Sequence, residues 1–185
     1  MTAISRFDVH DELSAPEGSD PVQRGALAAA GQLPNFLGVL AGSPAALRGF
    51  ARFRSELKGG SLDAATLERL SLAVAEYYGS EPGLAAHGRS ARLHGLKLDE
   101  IAAAKRFDSG DPKEAALLHY LHGLVVDREQ PPIHLHEEAR ELGWTDEQIL
   151  EAIAFVSLEG FTAMVNVAGD VPVDGSTEEN RLLAA

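Results

Sequence analysis

The feature that most constrains the fold of this chain is its punctuation. Three times a capping residue stands directly before a proline, at Asp20-Pro21, Ser43-Pro44 and Asp111-Pro112. A short polar side chain at such a place accepts a hydrogen bond from an orphan amide of the first helical turn, and proline at the first helical position gives up an N–H that has no partner there. Between these and the other Gly and Pro positions the segments have helical length. No run alternates β-branched and aromatic residues as a half-buried strand does. The 185 residues, 45% of them hydrophobic, suffice for one domain with a real core, since a domain takes about 150. The expected architecture is all-α, a single-domain helical bundle of about seven or eight helices with a central helical hairpin. It should span residues 20–174, between a polar N-terminal arm at 1–19 and a C-terminal tail at 175–185.

Asp111 with Glu114, and Thr145 with Gln148, have the spacing of a capping box. They predict helices over 112–127 and 146–168. In the latter, Ile149, Ile153, Val156, Gly160, Met164 and Val167 recur every three or four residues, an inward stripe whose glycine admits a close neighbour. Helices over 63–78 and 82–94, joined by Gly79-Ser80-Glu81, should form the hairpin, with His87 on the inward stripe of the second. Shorter helices are expected over 34–41, 98–107 and 134–142.

Composition narrows the function. Twenty-eight acidic residues against 16 basic ones give a net charge of −12, which disfavours nucleic acid and anionic membrane as partners. No apolar run approaches the roughly 20 residues of a membrane span, and the first residues lack the pattern of a secretion signal, so a cytoplasmic protein is expected. The absence of cysteine removes thiolate nucleophiles, Cys-ligated metals and thiol redox chemistry. No phosphate-binding glycine loop, nucleophile elbow or dinucleotide fingerprint is present.

The hairpin holds the candidate site: His87, Glu68 and Ser80 as catalytic residues, with Glu81, Tyr77 and Tyr78 as substrate-binding ones. Imidazole titrates near neutrality and suits general acid/base work, while a core histidine with a hydrogen-bonded partner is the plainer reading. Ser80 before Glu81-Pro82 reads as a helix N-cap before it reads as a nucleophile. Helix rise puts Glu68 about 18 Å before the turn and His87 about 10 Å after it, some 8 Å out of level, so spacing alone does not pair them. His119 and His122 have a metal-ligand spacing without an evident third ligand, and His134 and His136 point to different faces.

The segment from Leu33 to Asp174 resembles the alkylhydroperoxidase D and carboxymuconolactone decarboxylase superfamily. The resemblance is carried by Ser43-Pro44-Ala45-Ala46-Leu47, by Ser61-Leu62-Asp63 leading to Glu68, by Leu84-Ala85-Ala86-His87, by Gly95-Leu96 and by Gly169-Asp170-Val171-Pro172-Val173-Asp174. The peroxidase branch carries Glu-x11-Cys-x2-Cys-x3-His, a pattern that falls here on Glu68, Ser80, Gly83 and His87. The acid and the histidine are kept and both thiols are lost, so thiol peroxidase activity is excluded. The decarboxylase branch, with Gly-x-Glu-Pro-x-Leu-x-x-His, matches Gly79 to His87 better. That resemblance implies a lyase acting on a small carboxylated molecule or lactone with no metal and no organic cofactor. It also implies a homo-oligomer, dimer, trimer or hexamer. The alternative it leaves open is a catalytically silent scaffold or small-molecule binding protein.

Overall fold

The computed structural model describes residues 5–175, and residues 176–185 of the expected tail lie outside them. Its elements, in chain order, are α1 (Asp20–Ala30), α2 (Asn35–Leu40), α3 (Pro44–Lys58), α4 (Ala64–Tyr78), α5 (Glu81–Leu93), α6 (Leu98–Ala104), α7 (Pro112–His122), α8 (Ile133–Glu141) and α9 (Asp146–Gly169). No strand occurs among the described residues. The chain is all-α, as its punctuation demanded.

Two helices organise the rest. The run Leu70, Ser71, Leu72, Ala73, Val74, Ala75 of α4 is buried on every side, as befits a helix enclosed by neighbours. It packs against α9 and its hairpin partner α5. Leu117, Leu118 and Leu121 of α7 join Leu70, Val74, Ile149, Ala152, Phe155 and Val156 in the main core cluster. A second cluster, with Leu47, Phe50 and Leu158, ties α3 to α9. Arg69 links α4 to the segments beyond it, through Glu100 at 2.7 Å and Glu114 at 3.8 Å.

The helix starts show which signals were real caps. Ser43, Asp63, Ser80, Asp111 and Thr145 each accept a backbone N–H of the first turn. The Thr145–Gln148 capping box is complete, both bonds being 3.2 Å. The Asp111–Glu114 box does not form, because Glu114 turns inward to accept from Thr66 Oγ1 at 2.9 Å. Asp20 is the first residue of α1 and Ser19 precedes it as the cap position, its own Oγ donating to the Ala41 carbonyl at 2.8 Å.

Other expectations need correction. The helix expected over 112–127 is α7 followed by a π-helical turn, Gly123–Asp127, closed by Arg128 at φ +56°. Pro131 lies against Gly123 there. In α9 the expected stripe is followed only in its first half: Met164 and Val167 are about half exposed, while Leu158, Glu159, Ala163 and Asn166 face inward. The stripe keeps the helical period, so the change of inward face comes from the neighbours that pack on this half, α2 and α3. Tyr78 is the close neighbour of Gly160, at ordinary contact distance. Helix α9 is also long and apolar enough to cross a membrane by length and composition, which a search for unbroken apolar runs missed. Half of that stretch is buried within the bundle. The described part of the N-terminal arm packs along the fold, its Arg6 N–H donating to the Gly169 carbonyl and its His10 N–H to the Gly38 carbonyl.

Candidate functional site

Four helices converge on His87. The hairpin turn is set by Gly79 at φ +69°, a left-handed conformation that glycine adopts without a steric penalty. Ser80 then caps α5, which brings His87 back along α4. The 8 Å offset inferred from helix rise is bridged by side-chain reach, and His87 Nδ1 meets Glu68 Oε2 at 2.9 Å. Ser90, one turn further along α5, donates to the other oxygen of Glu68 at 2.6 Å. On the opposite side of the ring, His87 Nε2 lies 3.4 Å from Oε2 of Glu159, a carboxylate on α9 whose side chain is 5% exposed.

Electrostatics follow from this arrangement. Burial disfavours the imidazolium, but Glu159 and Glu68 outweigh it and raise the His87 pKa to about 9. Burial likewise works against the Glu68 carboxylate, yet His87 and Ser90 hold its pKa below the ordinary value. At neutral pH His87 is therefore a cation, its Nδ1 hydrogen-bonded to Glu68 and its Nε2 within ion-pair distance of Glu159.

Two cavities meet at His87 and Glu159. One, of about 250 Å³, is lined by Phe36, Phe50, Pro82, Thr162 and Asn166. The other, of about 360 Å³, is lined by Lys58, Leu67, Glu68, His94 and Phe155. Arg54 of α3, His87 and Glu159 belong to both. Apolar bodies with a few convergent polar groups are the usual make-up of a small-molecule site.

The structure brings Glu68 and His87 together within one chain and separates the other candidates. Ser80 is buried, and its Oγ accepts the Gly83 N–H at 3.3 Å and the Asn166 Nδ2–H at 3.1 Å. It works as a cap. Tyr77 and Tyr78 pack edge to face, 5.1 Å between ring centroids, against the main core, and line neither cavity. Arg128 donates to the Tyr77 hydroxyl at 3.3 Å. Glu81 is exposed in the first turn of α5. His119 and His122 contact different carboxylates, Asp108 at 3.2 Å and Asp127 at 3.1 Å. Among the described residues no group of three or more His, Asp or Glu side chains could hold a metal ion.

Two residues of the site were not anticipated. Glu159 interrupts the apolar run of α9, and a carboxylate in the middle of a buried helix was the available signal. Arg54 sits in the polar sequence of α3, where nothing set it apart from its neighbours.

Comparison with known proteins agrees with this picture. Residues 44–123, which contain Glu68 and His87, match the carboxymuconolactone decarboxylase family. No curated protein matches the sequence significantly. Among solved structures, the alkylhydroperoxidase AhpD core of an uncharacterized peroxidase-related protein from Ralstonia eutropha JMP134 is similar with a TM-score of 0.82 at 20% identity, over 95% of both chains. An uncharacterized peroxidase-related protein from Silicibacter sp. TM1040 gives 0.78 at 18% identity over 92% of both. A variant of the debrominase Bmp8, in complex with 2,3,4-tribromopyrrole, gives 0.74 at 16% identity over 97% of both. At such identities the structural likeness speaks for the fold alone. The chain, which has no cysteine, thus shares the alkylhydroperoxidase D-like fold of these structures and, over residues 44–123, matches the carboxymuconolactone decarboxylase family.

Proposed function

We propose that this protein is a lyase-like acid/base enzyme that binds a small carboxylated molecule or lactone in the paired cavities and moves a proton at the cluster of Glu68, His87 and Glu159. The observation that carries the reading is the placement of a cationic His87 between two carboxylates on the wall common to both cavities. A titratable group whose protonation is strongly shifted by burial and specific charge partners, sitting in a cleft, is a functional-site candidate. Arg54 and Lys58 offer cations for a ligand carboxylate. The apolar cavity suits a ring, and the fold neighbour that holds tribromopyrrole supports a ligand of that size.

The chemistry needs only groups the chain supplies. An imidazolium stabilises negative charge as it develops on a carbonyl or enolate oxygen, and a carboxylate takes or returns a proton. Ser80 and Gly83 stand where the peroxidase branch has thiols, so the reading contains no peroxide reduction. In the same reading the protein assembles as a homo-oligomer. Exposed Phe53, Leu150, Met164 and Val167 offer apolar surface for this. Size measurement in solution tests the assembly, and a 19.6 kDa species counts against it.

The function is tested by calorimetric titration of wild-type protein and Arg54→Ala with small lactones, keto acids and aromatic acids. Saturable binding by at least one class is expected, and carboxylate ligands should lose about tenfold in affinity in Arg54→Ala, the scale of one charge-assisted hydrogen bond. If no class binds, the silent-scaffold alternative is the better one.

A further inference from the structure

The acid/base reading leaves open which group touches the ligand. The family pattern points to the histidine, but the geometry here does not. Both ring nitrogens of His87 are committed, Nδ1 to Glu68 at 2.9 Å and Nε2 to Glu159 at 3.4 Å. Glu159 itself is only half committed. Its Oε2 faces the imidazole, while among the described residues Oε1 accepts no hydrogen bond and is not one of the sealed, unpartnered atoms of the interior. The residue is 4% exposed and lines both cavities. A buried carboxylate with one bare oxygen at a cavity wall is expensive unless something in the cavity uses it.

We propose that Glu159 is the catalytic base of this site, taking a proton from a carbon acid bound in the cavities, and that His87 is the cation that stabilises the resulting enolate. The assignment rests on the acid/base reading above and deepens it. In the step, a C–H bond next to the ligand carbonyl breaks, its electron pair moves into the carbonyl as an enolate, and the proton forms an O–H bond on Glu159 Oε1. The charge passes from the carboxylate to the ligand oxygen, still beside the imidazolium. Returning the proton to a different carbon of the conjugated system completes an isomerisation, with no change of oxidation state and no co-reactant. The substrate class is therefore a small cyclic or open-chain carbonyl compound with an acidified C–H, such as an unsaturated lactone or a keto acid.

The titratable and charged groups that line a cavity together with His87 are Glu68 on α4, Glu159 on α9, Arg54 and Lys58 on α3, and His94 at the C-cap of α5. Of these groups, the two carboxylates keep the imidazole protonated. This separates the two assignments by pH. If Glu159 is the base, the rate is flat through neutrality and falls as His87 loses its proton near pH 9. If His87 is the base, the rate rises through the same interval.

The experiment uses α-angelica lactone, a β,γ-unsaturated lactone whose methylene between carbonyl and double bond is acidic, with 4-oxopentanoate as a second probe. Deuterium uptake from D₂O and isomerisation are followed by proton NMR for wild-type, Glu159→Gln and Glu159→Asp proteins. Glu159→Gln should lose exchange by about 100-fold or more, the usual scale for removing a general base. It should bind the probe within a few-fold of wild type. Glu159→Asp, which keeps the carboxylate, should regain part of the rate. The wild-type pH profile supplies a test that needs no variant. Exchange that survives in Glu159→Gln, or a wild-type rate that climbs through pH 9, overturns the assignment and leaves the acid/base function standing. Absence of exchange with either probe in wild type overturns both.

Discussion

His87 and Glu159 meet across α5 and α9, the imidazole Nε2 standing 3.4 Å from a carboxylate oxygen within the long, largely apolar α9. Removing either partner would strand the other, because a buried charge without its counter-charge is far costlier than the pair. The pair therefore couples stability to pH. The His87 pKa is about 9 in the fold against 6.5 as the ordinary value. Its contribution is complete below about pH 6.5 and is lost as pH rises through 9, since the unfolded chain releases the proton first. Chemical denaturation at pH 6 and pH 10 should show wild type losing stability on the order of a few kcal/mol over this interval. His87→Gln should lack that part of the loss, and equal losses in both proteins would assign the pH dependence to other groups.

On the acid side Glu68 is held first by His87 and then by Ser90, whose Oγ donates to it at 2.6 Å. Together they hold the Glu68 pKa below its ordinary value against the effect of burial. The stabilisation from Glu68 is present above the ordinary carboxylate range and disappears as pH falls through the lowered folded value. Ser90→Ala should move the acid-unfolding midpoint of the protein to higher pH and leave stability at pH 6 lower by about 1 kcal/mol, the scale of one lost hydrogen bond. An unchanged acid midpoint would show that Ser90 does not hold the carboxylate.

The redox pair of the peroxidase branch is absent from the sequence, and the two positions it would occupy, Ser80 and Gly83, lie side by side in the fold. Purified wild type should show no dithiol-dependent turnover of peroxide. A Cβ at position 83 would stand 3.5 Å from the Ser80 Cβ, inside the range that a disulfide spans. Ser80→Cys combined with Gly83→Cys should therefore lose both free thiols on mild oxidation, as read by thiol titration. It should be less stable when reduced, because the new Cβ also presses on Ala75 at 3.1 Å. Two thiols that persist after oxidation would mean that the hairpin turn has diverged from the redox-active arrangement.

The capping box that opens α9 gives a test of the fold alone. Thr145→Ala removes the acceptor for the Gln148 N–H and should cost about 1 kcal/mol in urea unfolding. Asp111→Ala should cost a similar amount, and Glu114→Ala should act differently, through Thr66 and Arg69 in the interior. Equal effects of Asp111→Ala and Glu114→Ala would restore the capping box that the structure lacks.

These contrasts show what the chain's own letters could say. Asp-Pro and Ser-Pro starts, glycine stops and three-and-four spacing are local signals, so the helices and the hairpin were legible with ends correct to a few residues. The long register of α9 was not, because burial of its second half is decided by α3 and α2 rather than by its own period. In the site, Glu68 and His87 were named from a family pattern, and spacing left them out of level. Their pairing depends on side-chain reach and on how α4 and α5 pack. Glu159 lies 72 residues beyond His87, and only tertiary packing makes them neighbours. Tyr77 and Tyr78 were close to the turn in sequence, yet their side chains leave toward the other core.

At neutral pH His87 is an imidazolium fixed between Glu68 and Glu159 where two cavities meet. The most direct measurement is an NMR titration of the His87 ring in uniformly ¹⁵N-labelled protein, with His87→Gln to assign the resonances. Both ring nitrogens should be protonated at pH 7, with a midpoint near pH 9 that falls toward the ordinary value in Glu159→Gln. A midpoint at or below 6.5, or one that Glu159→Gln leaves unmoved, would contradict this arrangement.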